Sequence, residues 1–337
     1  MLVESLSRKS TENIYTSMVK ADLHVHLNGA VPTETIKCLI DKYNVQLPKN
    51  FCLDKDLQIL KPVNGLMEYF VPWKAFKSLP IGRDCLNAMI RETLRTLALD
   101  NITYVELKNS PFYISKINNI PLVEGLNWLT EGLKEYSEMF KINAKLILSF
   151  TRHELNMDET ENLLKAIKKV NNRDIIVGID MSGNEDIPIP KDLANVFIRA
   201  KKELGLGITI HAGETGNVEN IIWAINQCGA DRIGHGLAAY KSPEVMELIK
   251  QKEVCLEICL ISNLRTGCCP NIEEHPVNKF IEYDVPFILC TDNPAVHQST
   301  LSEEYEFFVR QFGRSDIIKD MLRRQKKYAF CNNFKLP

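Results

Sequence analysis

The stretch Leu23-His24-Val25-His26-Leu27-Asn28-Gly29-Ala30 decides how this chain is read. It closes a β-like run, Val19–Leu27, and a period of two puts both imidazoles on one face of that strand. Two imidazoles at the C-terminal end of a strand make half of a metal site, or else a pair of satisfied core histidines. The two residues alone leave both readings open.

The same arrangement recurs along the chain. Further strand-like runs are Ile102–Lys108, Ala144–Phe150, Ile175–Met181, Gly207–His211, Arg232–His235, Val254–Cys259 and Pro286–Thr291. Helix-period segments lie between most of them: Pro121–Phe140, Asp158–Val170, Lys191–Leu204, Val218–Gln227, Ser242–Lys250 and Pro276–Tyr283. Strands alternating with helices specify an α/β fold with a parallel sheet, and eight of them close a (β/α)8 TIM barrel. An open, doubly wound sheet is the alternative. No low-complexity linker divides the chain, so residues 1–337 are expected to form one domain. About 75 residues separate the first strand from the second, more than one crossover helix needs. Residues 45–100 are therefore read as a helical insertion after the first strand. Its aromatic stretch, with Tyr69, Phe70, Trp73 and Phe76, suits a lid over a barrel mouth or an extra packing layer.

Four of the seven histidines and one aspartate stand at predicted strand ends. His211 ends the fifth strand in Ile208-Thr209-Ile210-His211-Ala212-Gly213-Glu214. His235 ends the sixth in Ile233-Gly234-His235-Gly236. Asp292 ends the eighth in Leu289-Cys290-Thr291-Asp292-Asn293-Pro294. Each has a plain structural reading as well: Glu214 as an acid at a helix N-terminus, Asp292 as a helix N-cap. In a barrel, however, all these groups meet at the C-terminal face, where such folds place their chemistry. Three His and one Asp can hold one Zn²⁺ with a water in the open position, leaving Glu214 and His235 to handle protons. His153, His275 and His297 lack this placement. His275 reads as a loop residue near a helix start, and His297 as pocket-lining or exposed.

Composition limits the function classes. The formal net charge is −2 and the hydrophobic fraction is 45%, so the chain lacks the basic excess of a nucleic-acid binder. No run approaches the ~20 apolar residues of a membrane span. Met1 to Lys20 shows no apolar signal core, and the ten cysteines are scattered, several inside apolar runs. A cytoplasmic protein with reduced thiols, acting on a small molecule, is the expectation.

In order, Leu23 to Ala30, His211-Ala212-Gly213-Glu214, Gly234-His235-Gly236, Ser262-Asn263 and Thr291-Asp292-Asn293-Pro294 resemble the signature segments of the adenosine deaminase family. Phe150-Thr151-Arg152-His153 and Gly178-Ile179-Asp180-Met181-Ser182-Gly183 fit as well, so the resemblance runs from about residue 18 to the C-terminus. It implies zinc-dependent hydrolytic deamination of adenosine or 2′-deoxyadenosine, with one Zn²⁺ per chain. It implies His24, His26, His211 and Asp292 as metal ligands and Glu214 as proton donor to the purine N1. His235 and Asp292 would orient the attacking water, and the Gly183 backbone would face N3. Two positions depart from the commonest pattern. Asn28 stands where an Asp is usual, toward the ribose 5′ end, and Asn293 stands where many members carry Asp beside N7. The first departure keeps a second substrate class in view: adenine nucleosides or nucleotides substituted at the 5′ position or at N6, such as N6-methyl-AMP or methylthioadenosine, or free adenine. No lysine ends the fourth strand, at Met181-Ser182-Gly183, which points away from two-metal amidohydrolases.

Overall fold

The computed structural model describes residues 14–152, 157–190, 192–331 and 333–334. Its eight strands are β1 (Lys20–His26), β2 (Ile102–Asn109), β3 (Asn143–Thr151), β4 (Ile176–Ser182), β5 (Gly207–Ala212), β6 (Arg232–His235), β7 (Cys255–Ile258) and β8 (Phe287–Leu289). They form one sheet in sequence order, every neighbouring pair parallel. Parallel strands covered on both faces read as continuous apolar runs, and almost every strand residue here is buried. The last seam is narrow. Val25 of β1 bridges Asp292, whose N–H donates to the His24 carbonyl at 2.8 Å and whose carbonyl accepts from His26 N–H at 2.8 Å. This is a nearly closed (β/α)8 TIM barrel.

The helices of the outer layer include α1 (Gly82–Leu99), α2 (Leu122–Phe140), α3 (Met157–Ile167), α4 (Ala194–Leu204), α5 (Val218–Asn226), α6 (Pro243–Gln251), α7 (Val277–Glu282) and α8 (Ile318–Tyr328), with Leu301–Phe312 packed on the same core. Local chemistry sets several starts. Asn217 accepts from Glu219 N–H ahead of α5, and Ser242 accepts from Val245 N–H ahead of α6, with Pro243 next in line. Strand bounds differ from the sequence reading by a residue or two. Ile175 closes a 3₁₀ turn rather than opening β4, and Cys259 leads into the short helix Leu260–Arg265. His153 and the first residue of the predicted helix Lys191–Leu204 lie outside the described residues.

The inserted region ends earlier than residue 100. Leu86, Ile90, Leu94 and Leu97 of α1 join the main barrel core, so this helix is the first crossover helix. What precedes it is irregular chain with three one-turn helices, Leu53–Asp56, Leu66–Tyr69 and Trp73–Phe76. These bury a small core of their own, in which Tyr69, Phe76 and Leu79 meet Cys85 and Met89 of α1 and Val296 from the turn after β8. Ile59 N–H donates to the Val296 carbonyl at 2.9 Å, and Val63 N–H to the Arg265 carbonyl at 3.1 Å. The insertion is thereby tied to the loops after β7 and β8. No helix among the described residues is long and apolar enough to cross a membrane.

Candidate active site

Six of the singled-out side chains converge at the C-terminal mouth. The His24 Nε2 atom lies 3.5 Å from Asp292 Oδ1, and His26 Nε2 lies 3.4 Å from the same oxygen. His26 Nε2 and His211 Nε2 are 3.1 Å apart. His235 Nε2 stands 3.7 Å from Glu214 Oε2, with potential ligand atoms of His24, His211, His235 and Asp292 all within 4.8 Å of one another. Gly234 makes room for this crowding: a Cβ there would sit 3.1 Å from His24 Cε1 and 3.2 Å from His211 Cα. His235 and Asp292 are held in left-handed backbone, each at φ 62°. For residues other than glycine that conformation costs energy, and it clusters where a site must aim its side chains. The helix-cap reading of Asp292 falls here. Asn293, not Asp292, precedes the helical turn Pro294–His297, and the Asp292 carboxylate accepts from Ser262 Oγ at 2.6 Å.

The cluster fits a cation. His24 donates from Nδ1 to Glu257 Oε2 at 2.6 Å, and His211 from Nδ1 to Asp180 Oδ1 at 3.0 Å. With their protons committed outward, both rings turn Nε2 lone pairs inward, the second-sphere pattern of metal-binding histidines. His24 Nε2 is buried without a hydrogen-bond partner, which costs free energy unless something fills the centre. Burial raises the Glu257 carboxyl, but the Lys108 and Arg232 charges overcome this and hold it well below the usual carboxylate range. Lys108 lies 3.0 Å from Glu257 and 3.6 Å from Asp180, joining the two carboxylates behind the imidazoles. Burial pushes His26 down to about 3 and lowers His211, so both rings are neutral and able to ligate.

Glu214 occupies a different environment. Burial pushes its carboxyl well above the ordinary range, and the Asp292 and Glu185 charges push the same way, which favours the protonated form. It is not a helix-terminal acid, because α5 begins four residues later with Asn217 as its cap. Its position is set from the loop after β4: Glu185 accepts from Gly213 N–H and Glu214 N–H, each at 2.7 Å, and from Asn220 Nδ2 at 2.9 Å. Gly183, at φ 91°, turns the chain after β4 toward this clamp.

The rim carries the remaining residues. The Asn28 Oδ1 atom accepts from Tyr113 Oη at 2.8 Å and from Asn109 Nδ2 at 3.3 Å. Asn293 Nδ2 donates to Tyr69 Oη at 2.9 Å, and Tyr69 donates in turn to His297 Nε2 at 2.8 Å. His297 is buried, 1% exposed, which excludes the exposed reading. The sequence reading missed Glu257, Asp180, Glu185 and Lys108 as site-building groups. One signal was there to find: Glu257 is the one charge inside the apolar strand β7.

Comparison with known proteins identifies the lineage. The sequence pattern of the adenosine deaminase family matches residues 19–334. The chain belongs to the adenosine deaminase family. It is accordingly a hydrolase of that metal-dependent family. An adenosine deaminase of Clostridium kluyveri is 31% identical over 318 residues, covering 93% of this chain and 90% of the relative. The crystal structure of the Arabidopsis N6-mAMP deaminase superposes with a TM-score of 0.79 at 27% identity, covering 95% of each chain. An amidohydrolase of Burkholderia ambifaria, solved with bound Zn, shares the fold: TM-score 0.85 at 22% identity, covering 97% of this chain and 90% of that one.

Proposed function

We propose that this family member hydrolyses the 6-amino group from adenosine and 2′-deoxyadenosine, giving inosine or 2′-deoxyinosine and ammonia. The observation that carries this reading is a buried Glu214, its carboxyl pushed well above the ordinary range, 3.7 Å from His235 in the cluster of His24, His211, His235 and Asp292. The donor set, His24, His26, His211 and Asp292, suits one Zn²⁺. A zinc ion held there lowers the pKa of a coordinated water toward neutrality and so supplies a nucleophile.

The side chains do the rest. A neutral purine resists attack at C6 until N1 accepts a proton, and Glu214 is the group held in the donating form. Asp292 and His235 would orient that water and fix its approach. Addition at C6 moves the Glu214 proton to N1. The C6–N bond then breaks. Of the two protons of the water, one leaves on ammonia and the other restores Glu214. In this reading the Gly183 backbone and Asn293 contact N3 and N7.

A second substrate class, adenine nucleosides or nucleotides with a 5′ or N6 substituent, is favoured by Asn28. Its carbonyl is already engaged by Tyr113 and Asn109, so its amide N–H groups are left to donate to oxygens at the 5′ end. The Arabidopsis neighbour is named for N6-methyl-AMP. Side-by-side kinetics on adenosine, AMP, N6-methyl-AMP, methylthioadenosine and adenine separate the two classes. Asn28→Asp should lower kcat/KM for any 5′-phosphorylated substrate by ~10-fold or more, through like-charge repulsion, and leave adenosine within about threefold. Equal losses on both would remove Asn28 as the specificity determinant.

A further inference from the structure

His235 is the ambiguous member of the cluster. Its Nε2 lies among the metal-facing atoms, so by position alone it competes with His26 for the role of ligand. What decides is which ring nitrogen carries the proton, and that is set outside the site.

The chain of partners begins at a donor that admits no alternative. The backbone N–H of Val277 donates to His275 Nδ1 at 3.3 Å. The His275 ring is buried, and burial pushes its pKa down to about 3, so it is neutral. A neutral imidazole accepting at Nδ1 must carry its proton on Nε2. That atom lies 3.3 Å from Asn263 Oδ1, which therefore accepts. The amide orientation is then fixed, and Asn263 Nδ2 donates to His235 Nδ1 at 3.1 Å. Accepting at Nδ1, the buried His235 ring carries its own proton on Nε2, pointing into the mouth. His24 and His211 are built the opposite way: their Nδ1 atoms face carboxylates.

We infer that Asn263 and His275 are positioning residues that hold His235 as an Nε2–H donor, so that it orients the attacking water and does not bind the metal. The inference deepens the proposed deaminase reading and rests on it for the identity of the group His235 addresses. His26 then completes the ligand set. The β7–α7 connection, which supplies both relay residues, becomes part of the active site.

The test is a long-range ¹H–¹⁵N correlation spectrum of the full chain, labelled at histidine and loaded with zinc. His235→Gln assigns the His235 signals. The relay predicts a protonated Nε2 and an unprotonated Nδ1 on His235. In Asn263→Asp the carboxylate accepts from both neighbours, so the His235 proton should move to Nδ1. His275→Gln keeps an amide donor toward Asn263 and should retain the wild-type tautomer, whereas His275→Leu should populate both. On adenosine, kcat of Asn263→Asp should fall ~10–100-fold, as loss of an orienting partner commonly does, with KM changed less than about threefold. A His235 ring protonated on Nδ1 in the wild type, or metallated at Nε2, overturns the relay. So does an unchanged tautomer in both Asn263→Asp and His275→Leu. If Asn263→Asp fails to fold, the wild-type spectrum and the two His275 variants decide alone. The expected tautomer in a zinc-loaded protein that turns over no adenine compound would support the relay while removing the deaminase reading.

Discussion

Glu214→Gln should leave metal and nucleoside binding almost unchanged and lower kcat by ~10²–10⁴-fold, the usual worth of a positioned general acid. The substitution keeps the size and the backbone clamp, because Glu185 holds the main chain at Gly213 and Glu214 rather than the side chain. Only the transferable proton is lost. Burial, reinforced by the Asp292 and Glu185 charges, raises the Glu214 pKa, so the donating form persists to higher pH than in an ordinary carboxyl and is lost as pH rises through that raised value. The wild-type kcat profile should therefore fall on its alkaline side, and the Gln variant should lack that limb. Steady-state kinetics across pH check both statements. A Gln variant retaining near-wild-type kcat would exclude Glu214 as the acid.

Asp292→Asn should cost metal affinity first and activity with it. The residue sits in left-handed backbone at φ 62°, a conformation Asn adopts as readily as Asp, so the barrel seam to Val25 should survive. The lost charge is the one that faces His24 and His26 at 3.5 and 3.4 Å. Even partners one shell further out commonly carry ~10–100-fold in metal affinity, so losing a charged ligand should cost at least ~100-fold. A chelator-competition titration measures it, and circular dichroism reports whether the fold is kept. Unchanged affinity with an intact fold would remove Asp292 from the ligand set.

The barrel was legible because parallel strands buried on both faces write themselves as apolar runs, and the polar residues that end them stand out. His24, His26, His211, His235 and Asp292 were visible for that reason. Their partners were not. Glu257 reaches His24 across the barrel interior, and Asp180 reaches His211 from the neighbouring strand, through a register no single sequence shows. Asn263 was recognisable as part of a motif, yet its task depends on His275 twelve residues on and on the Val277 N–H behind it. Tyr69 is a similar case: its aromatic stretch suggested a lid, but its bonds to Asn293 and His297 come from a tertiary fold-back. The extent of the insertion was misjudged because α1 is amphipathic toward two cores at once. Leu86 and Ile90 face the barrel, and Cys85 and Met89 face the insertion.

The most direct test of the central claim is an ammonia-release assay on the purified full chain with adenosine, before and after metal stripping. The account predicts one ammonia and one inosine per adenosine consumed. Activity should vanish with the chelator and return on adding roughly one zinc ion per chain, as a single tetrahedral site requires. No ammonia from adenosine or from any of the substituted adenine compounds by the zinc-loaded protein would contradict it, as would full activity in the metal-stripped chain.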